Sequence, residues 1–369
     1  MNYYRCNVLD SSLLNLPTWK TISGDIATFN TSYTNPLRSC VAQIVAQQAG
    51  SGDASPSNVR AISGVDEVNI HKLGINLWDE QWELGVFDTS TGADVEASNR
   101  IRAKNKIRVK GGTYISFHSP LSGSNEGLWV IFFDANESAV SGLSFPNCTD
   151  HYGNSFMFHS TTILIPQNVA YLRFYVTYQY GTTYQNDISI NASKTDITYH
   201  AYTDTVTTVT LPETIYGGNI DVISGSGSKT FDALTSLATA EWSAQGSGDS
   251  EFFVASISGI DVSRLNELLC NKYKTLTPTI SNTDDNIIGV ISSGAYLRIR
   301  DKRYTASTIN DFKTSLADCV VIYPLATPTT LTTSATSIPT LSGTNNIYAD
   351  SGNISVTAEM TLQEYINQQ

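Results

Sequence analysis

Between residues 66 and 203 one short alternating apolar run follows another, each closed by turn-forming residues, and helical periodicity is missing between them. IRAKNKIRVKGGTYISFHS is two such runs around Gly111-Gly112. LWVIFFDANESAVSGL is two around Asp134 to Glu137, and TTILIPQNVAYLRFYVTY is two around Pro166-Gln167-Asn168. NDISINAS adds another short strand. Strands at this spacing must pair antiparallel and bury one face, so a β-sandwich is predicted, with the jelly roll as its form. The 19 Tyr, 25 Gly and abundant Ser, Thr and Asn suit strands and turns.

Either side of this region the pattern changes. Residues 1–65 carry no long periodic segment except CVAQIVAQQ, where Val41, Ile44, Val45 and Gln48 fit one strand or two short helical turns; the region reads as an arm for attachment. Residues 204–369 alternate strand-like segments such as EFFVASIS, AYLRIRD and CVVIYPL with two helix candidates, near 261–273 and 307–317. The chain is therefore expected to be mainly all-β: an arm over 1–65, a jelly roll over 66–203 and a β-rich domain with short helices over 204–369. Near its end, LSGTNNIYADSGNISV reads as a hairpin, with Asn345-Asn346 as a turn before Ile347 to Ala349 and Asp350 to Asn353 as the turn into Ile354 to Val356.

A net charge of −12 excludes a nucleic-acid footprint, which needs clustered cations to displace counterions from phosphates. The basic run Arg100, Arg102, Lys104, Lys106, Arg108, Lys110 has the spacing of alternate residues on one strand, so its cations are expected on one solvated sheet face. The five cysteines, at 6, 40, 148, 270 and 319, lack a C-x-x-C and read as separate, mostly buried thiols. MNYYRCNVLD lacks the features of a signal peptide, and no run approaches the roughly 18 apolar residues of a membrane helix. A soluble protein made in a cytoplasm, without membrane insertion, is expected.

The chemistry of hydrolysis leaves few traces. G-x-S-x-G, H-E-x-x-H and phosphate-loop motifs are missing, and the five histidines are scattered apart from His151 and His159. Asp79, Glu80 and Glu83 cluster, and Asp284 and Asp285 adjoin, but 34 acidic residues make such groups common by chance. Saccharide binding asks for different groups, flat rings beside amides or carboxylates. Alternation in YLRFYVTYQY puts Leu172, Phe174 and Val176 on one face and Tyr171, Arg173 and Tyr175 on the other. The second set is the predicted ligand-facing surface, and Trp78 and Trp82 are predicted core.

Four blocks resemble, in this order, structural proteins of tailed phages and prophages of Gram-positive gut bacteria. They are SGDIATFNTSYTNPLRSC with AGSGDASPSNVRAISGVDEVNI; NLWDEQWELG through YGTTYQNDISIN and DITYHAY; YLRIRDKRYTASTINDFKTSL with VVIYPLATPTT; and GTNNIYADSGNISV. The chain departs from that family at Tyr348, where Trp is common, and at Pro324, where an acidic residue is common. The central block is also similar to jelly-roll carbohydrate-binding modules, through its GGTY and DANES turns and closing NDISI strand.

The resemblance implies a non-enzymatic virion protein of tail, baseplate or fibre, made in the bacterial host cytoplasm. It would contact other virion proteins, form a homo-oligomer that by analogy is a trimer, and touch host-surface glycan. A capsid-surface decoration or head fibre is the alternative of the same class, and a glycan-cleaving tail enzyme the alternative of another. The module resemblance also implies a structural calcium (Ca2+) between first and last strands, drawing on Glu80 or Glu83 and on Asp187. No other cofactor is expected.

Overall fold

The computed structural model describes residues 17–247, 251–276, 284–291 and 296–361, without the side chains of 17, 18 and 31–35. The chain is all-β, built from sheets that are antiparallel except where Lys274–Thr275 runs parallel to Ile287–Ile291, with few short helical turns. Among the described residues no helix is long and apolar enough to cross a membrane. The described residues fall into two compact units: those within 1–40, 69–207 and 337–369 form one, and those within 41–68 and 208–336 the other.

In the first unit, the expected sandwich is present. One sheet orders Asp150–Tyr152, Ser155–Phe158, Leu128–Phe133, Tyr171–Val176, Ile101–Ala103 and Trp82–Leu84 side by side. The other consists of Thr161–Leu164, Tyr114–His118 and Ser189–Asn191. From Ile101 onward the chain passes back and forth between these sheets, the connectivity of a jelly roll. Leu128, Val130, Phe132, Leu172, Phe174 and Val176 meet Ile115, Phe117, Ile163 and Ile190 in a single core, the apolar half of each alternating run. Trp78, fully buried as expected, sits edge-on to Phe174 at 4.7 Å and to Tyr184 at 4.8 Å.

The basic run does not form one solvated face. It is broken into Ile101–Ala103 and Ile107–Arg108 by a bend at Lys104 and Asn105, and Arg102 is buried. The described part of the expected arm is not an arm either. Pro17–Gly24 pairs along its full length with Ile354–Thr361, and Ala27–Asn35 pairs with Leu341–Ala349. Burial alternates strictly along Ile354–Thr361, with Ile354, Val356, Ala358 and Met360 inward. Asn345 and Asn346, expected in a turn, lie buried inside a nine-residue strand. Each has a partner: Asn345 Nδ2 donates to the Ser342 carbonyl, while Asn346 Nδ2 donates to that of Gly74 and its Oδ1 accepts from Thr28 Oγ1. The turn at 350–353 and the strand residues Ile347 to Ala349 and Ile354 to Val356 are as expected, but the two strands belong to different sheets and do not pair as a hairpin.

In the second unit, Val41 to Val45, Gly217–Asp221, Ser226–Leu234, Val321–Thr332 and Leu269–Cys270 make one sheet. CVAQIVAQQ is thus strand rather than helical turns. A second sheet joins Ser243–Gln245, Phe252–Ser256, Tyr296–Arg300, Ile287–Ile291 and Lys274–Thr275. The helix Ile309–Ser315 falls where predicted and seats Phe312 on Phe253, ring centroids 3.9 Å apart. The candidate over 261–273 shrinks to a 3-10 turn, Val262–Glu267, because Leu269 and Cys270 are drawn into pairing with Ile322 and Val321.

Trp78→Ala is expected to cost about 3–5 kcal/mol, as large aromatic-to-alanine changes in cores do. Tyr152→Ala, at a residue 70 % exposed, should stay within about 0.5 kcal/mol. Urea unfolding followed by far-UV circular dichroism separates the two; equal costs would contradict the core assignment.

Candidate functional site

The surface predicted to face a ligand is covered. Tyr171, Arg173 and Tyr175 do share one face of their strand, but a short hairpin, Val86–Phe87 with Asp94–Val95, packs over it. Phe87 sits edge-on to the Tyr175 ring at 4.9 Å, and Trp129, opposite Tyr175 in the register, stacks at 6.3 Å. Arg173 and Tyr175 are 6 % and 7 % exposed. Burial raises the Tyr175 hydroxyl above its ordinary value, against the nearby charge of Arg100.

Arg173 spends its donors inside the protein. Nε donates to the Ala103 carbonyl at 2.8 Å and Nη2 to that of Lys104 at 2.9 Å, while Nη1 meets Asp94 and Nη2 meets Glu83 at 3.2 Å. Arg102 does the same from the neighbouring strand: Nε donates to Glu83 at 2.8 Å and Nη1 to the carbonyls of Val86 and Val95. Two buried guanidiniums thus share two carboxylates and grip both strands of the hairpin. The hairpin tip needs Gly92: its φ is +75°, and a Cβ there would lie 2.6 Å from the Phe133 ring.

Glu83 and Asp187, the implied calcium ligands, are not gathered into a metal site. Glu83 is engaged by the two arginines, and Asp187 accepts from Tyr180 Oη. Glu80 accepts from Tyr199 Oη at 3.0 Å and the Tyr202 amide at 3.2 Å. Among the described residues no group of three or more His, Cys, Asp and Glu is placed to hold a metal ion. His151 and His159 also go separate ways, His151 beside Phe156 and His159 Nε2 3.0 Å from the Gly123 carbonyl. Cys270 and Cys319, expected apart, lie side by side with their Sγ atoms 3.7 Å apart.

Of the predicted surface, Tyr171 alone reaches an opening. It lines a cavity of about 270 Å3, floored by Leu73, Leu77 and Ile107 and walled by Tyr202, Tyr348, Arg108, Asn105, Asp79 and Asp350. Small-molecule sites run from about 300 Å3 upward, so this one suits a single ring or a short stretch of a chain of rings. Five separate parts of the sequence supply it, around 73–79, 105–108, 171, 202 and 348–350. Asn105 Nδ2 donates to Asp79 at 2.6 Å, and Asp79 also caps the Gln81 amide. His71, opposite Tyr348 in the register, stacks on it at 4.6 Å with the planes 1° apart, while its ring nitrogens lie 2.7 Å from Asp204 and 3.3 Å from Asp350.

Arg108 is the centre of this wall. Its guanidinium carbon lies 5.6 Å from the Tyr171 ring centroid and 4.9 Å from that of Tyr348, so aromatic rings support it. A guanidinium steadied through its faces keeps its edge of N–H donors for another molecule. Burial, with the charges of Asp204 and Asp350, pushes the Tyr348 hydroxyl up to about 12, so it stays protonated and can donate at neutral pH. Burial raises Tyr202 likewise. The cavity therefore brings together three tyrosines, a guanidinium stacked on aromatic rings, two carboxylates and an amide around an apolar floor. The second unit has a cavity of about 370 Å3 lined by Ile44, Phe231 and Ile322, but its cation, Arg264, is held two-pronged by Glu267 at 2.9 and 2.8 Å.

No protein-family model matches the chain, and neither the curated proteins nor the solved structures hold a significant match. The site residues missed from sequence are Asn105, Arg108, Tyr202, Tyr348, Asp79 as a wall group, and Asp350. Two signals pointed their way: the basic run containing Arg108, and Tyr348 standing at a position where the resembled family carries another aromatic.

Glu83→Gln should destabilise the first unit by about 1–3 kcal/mol, since it removes one of the two carboxylates compensating Arg102 and Arg173. Unfolding midpoints measure this, and a neutral result would contradict the clamp. The hairpin should also respond to acid. Asp88 is held below the usual carboxylate value by bonds from Thr91 Oγ1 and from the Thr91 and Ser90 amides, so its contribution is complete above the unfolded value of about 3.9 and is lost as pH falls through the lower folded value. Hydrogen-exchange protection of the Gly92 and Ala93 amides should fall between pH 5 and pH 2.5 by roughly the linkage this implies, and Asp88→Asn should remove that dependence.

Proposed function

We propose that this chain is a non-enzymatic structural protein of a phage virion, of tail, baseplate or fibre, that takes part in host attachment by binding surface glycan in the Arg108 cavity. The virion reading rests on the resemblance of the four sequence blocks. The glycan reading rests on one observation: Arg108 lies against the rings of Tyr171 and Tyr348 in a cavity that Asp79, Asn105 and Asp350 also line.

That combination matches what a sugar asks for. Pairs of hydroxyls on a pyranose present oxygens that both accept and donate, so a guanidinium edge, carboxylates and an amide held in place satisfy them, while the apolar ring face takes the Leu73, Leu77 and Ile107 floor. A shallow site of this kind binds weakly, and copies repeated in a homo-oligomer, a trimer by analogy, supply avidity through effective concentration. No step of bond cleavage is proposed: Asp79 is tied to Asn105, and Glu80 and Glu83 to tyrosine and arginine partners.

Titration of host cell-wall polysaccharide into the full chain is expected to show binding without new reducing ends. Arg108→Ala should weaken it at least about tenfold, the effect of removing a charged hydrogen-bonding group. Tyr152→Ala, on an exposed strand, should leave it unchanged. Equal affinity for the wild type and Arg108→Ala would overturn the site; release of reducing ends would overturn the non-enzymatic reading.

A further inference from the structure

The core of the second unit holds a pair of thiols that the glycan site does not use. Cys270 ends the strand Leu269–Cys270 and is opposite Val321 in the register, and Cys319 lies two residues before Val321. Their Sγ atoms are 3.7 Å apart, at 2 % and 0 % exposure. The flanking backbone is clasped on both sides. The Asn271 amide donates to the Val320 carbonyl at 3.1 Å, its Nδ2 donates to the Asp318 carbonyl at 2.8 Å, and its Oδ1 accepts from the Val320 amide at 2.8 Å. Lys272 Nζ reaches across to the Ser315 carbonyl at 2.7 Å and to Asp318 at 2.5 Å.

The two sulfurs are not equivalent. Burial works to raise the Cys270 thiol, but the bond from Cys319, the Lys272 and Tyr273 amides and the Lys272 charge bring it below its ordinary value. Cys319 is held above its ordinary value by the bond to Cys270 and then by burial. Cys270 is thus the sulfur of the pair that gives up its proton more readily, and Cys319 the one that holds it. A disulfide has its sulfurs about 2.05 Å apart, so joining them asks for a closure of roughly 1.7 Å, within reach of side-chain rotation.

We propose that Cys270 and Cys319 form a dithiol that a peroxide oxidises to an intramolecular disulfide, stapling the second unit. The Cys270 thiolate attacks one oxygen of hydrogen peroxide; the O–O bond breaks, hydroxide leaves and takes up a proton, and a sulfenic acid remains. Cys319 sulfur then attacks the Cys270 sulfur, its proton and the departing hydroxide forming a second water. Two thiols and one peroxide become one disulfide and two waters. The pair stays reduced in a reducing cytoplasm and closes once the chain meets an oxidising medium. This inference is independent of the glycan reading, since every residue in it belongs to the second unit.

The test uses the full chain, reduced and then held with hydrogen peroxide at 37 °C for hours, so that local opening admits the oxidant. Alkylation under denaturing conditions should count five thiols before treatment and three after, with peptide mapping joining Cys270 to Cys319 and dithiothreitol restoring five. Closing a loop of 49 residues should raise the Tm of the second unit by roughly 5–10 °C, and neither Cys270→Ser nor Cys319→Ser should show the gain. Five free thiols after treatment, a bond mapped to any other pair, or a mapped bond with unchanged Tm would overturn the proposal; because the mapping is done on the wild type, it holds even where a serine variant fails to fold.

Discussion

Two guanidiniums under a hairpin decide what the front of the sandwich can do. Arg102 and Arg173 project from adjacent strands into a nearly dry space, where an uncompensated charge would cost several kcal/mol. Glu83 and Asp94 supply the opposite charge, and the carbonyls of Val86, Val95, Ala103 and Lys104 take the remaining donors. Since Asp94, Val86 and Val95 belong to the hairpin, lifting it would strip partners from both arginines together. The broad face of the sheet is therefore part of the interior, and the opening lies at its margin, where Tyr171 and Arg108 border a cavity.

Much of the sandwich was legible because its signals are local. The alternation of YLRFYV fixed which residues share a face, and the Asp134 turn declared itself through a side chain that accepts from the Asn136 and Ser138 amides. Exposure of the polar face was not legible. An arginine between two tyrosines looks the same in sequence whether it meets water or a carboxylate some 79 positions away, as Arg173 meets Asp94. The basic run misled for a related reason: Arg102 and Arg108, opposite Tyr175 and Tyr171, keep to one face of the sheet, but the hairpin covers Arg102 and leaves Arg108 at the cavity.

The chain's division into units was hidden for a different reason. Pro17 pairs with Thr361 and Ala27 with Ile347, so strands at the two ends complete the same unit, and contacts of such separation leave no trace in a local pattern. Asn345 and Asn346 show the same limit. Two adjacent asparagines favour a turn when their side chains bond to their own backbone, but here Gly74 and Thr28, brought in by other strands, satisfy Asn346 inside the sheet. That pairing sets Tyr348 opposite His71 and delivers Tyr348 and Asp350 to the cavity. The strand Leu341–Ala349 thus contributes one of the two rings that support Arg108.

Where a ligand settles is the most direct measure of this arrangement. Hydrogen–deuterium exchange of the full chain, with and without host cell-wall polysaccharide, reads it at peptide resolution. Added protection over residues 105–108 and 346–350, with none over 86–95, is the expected result. Protection centred on 86–95, or exposure of that hairpin with gain at Arg173 and Tyr175, would contradict it and return recognition to the covered face.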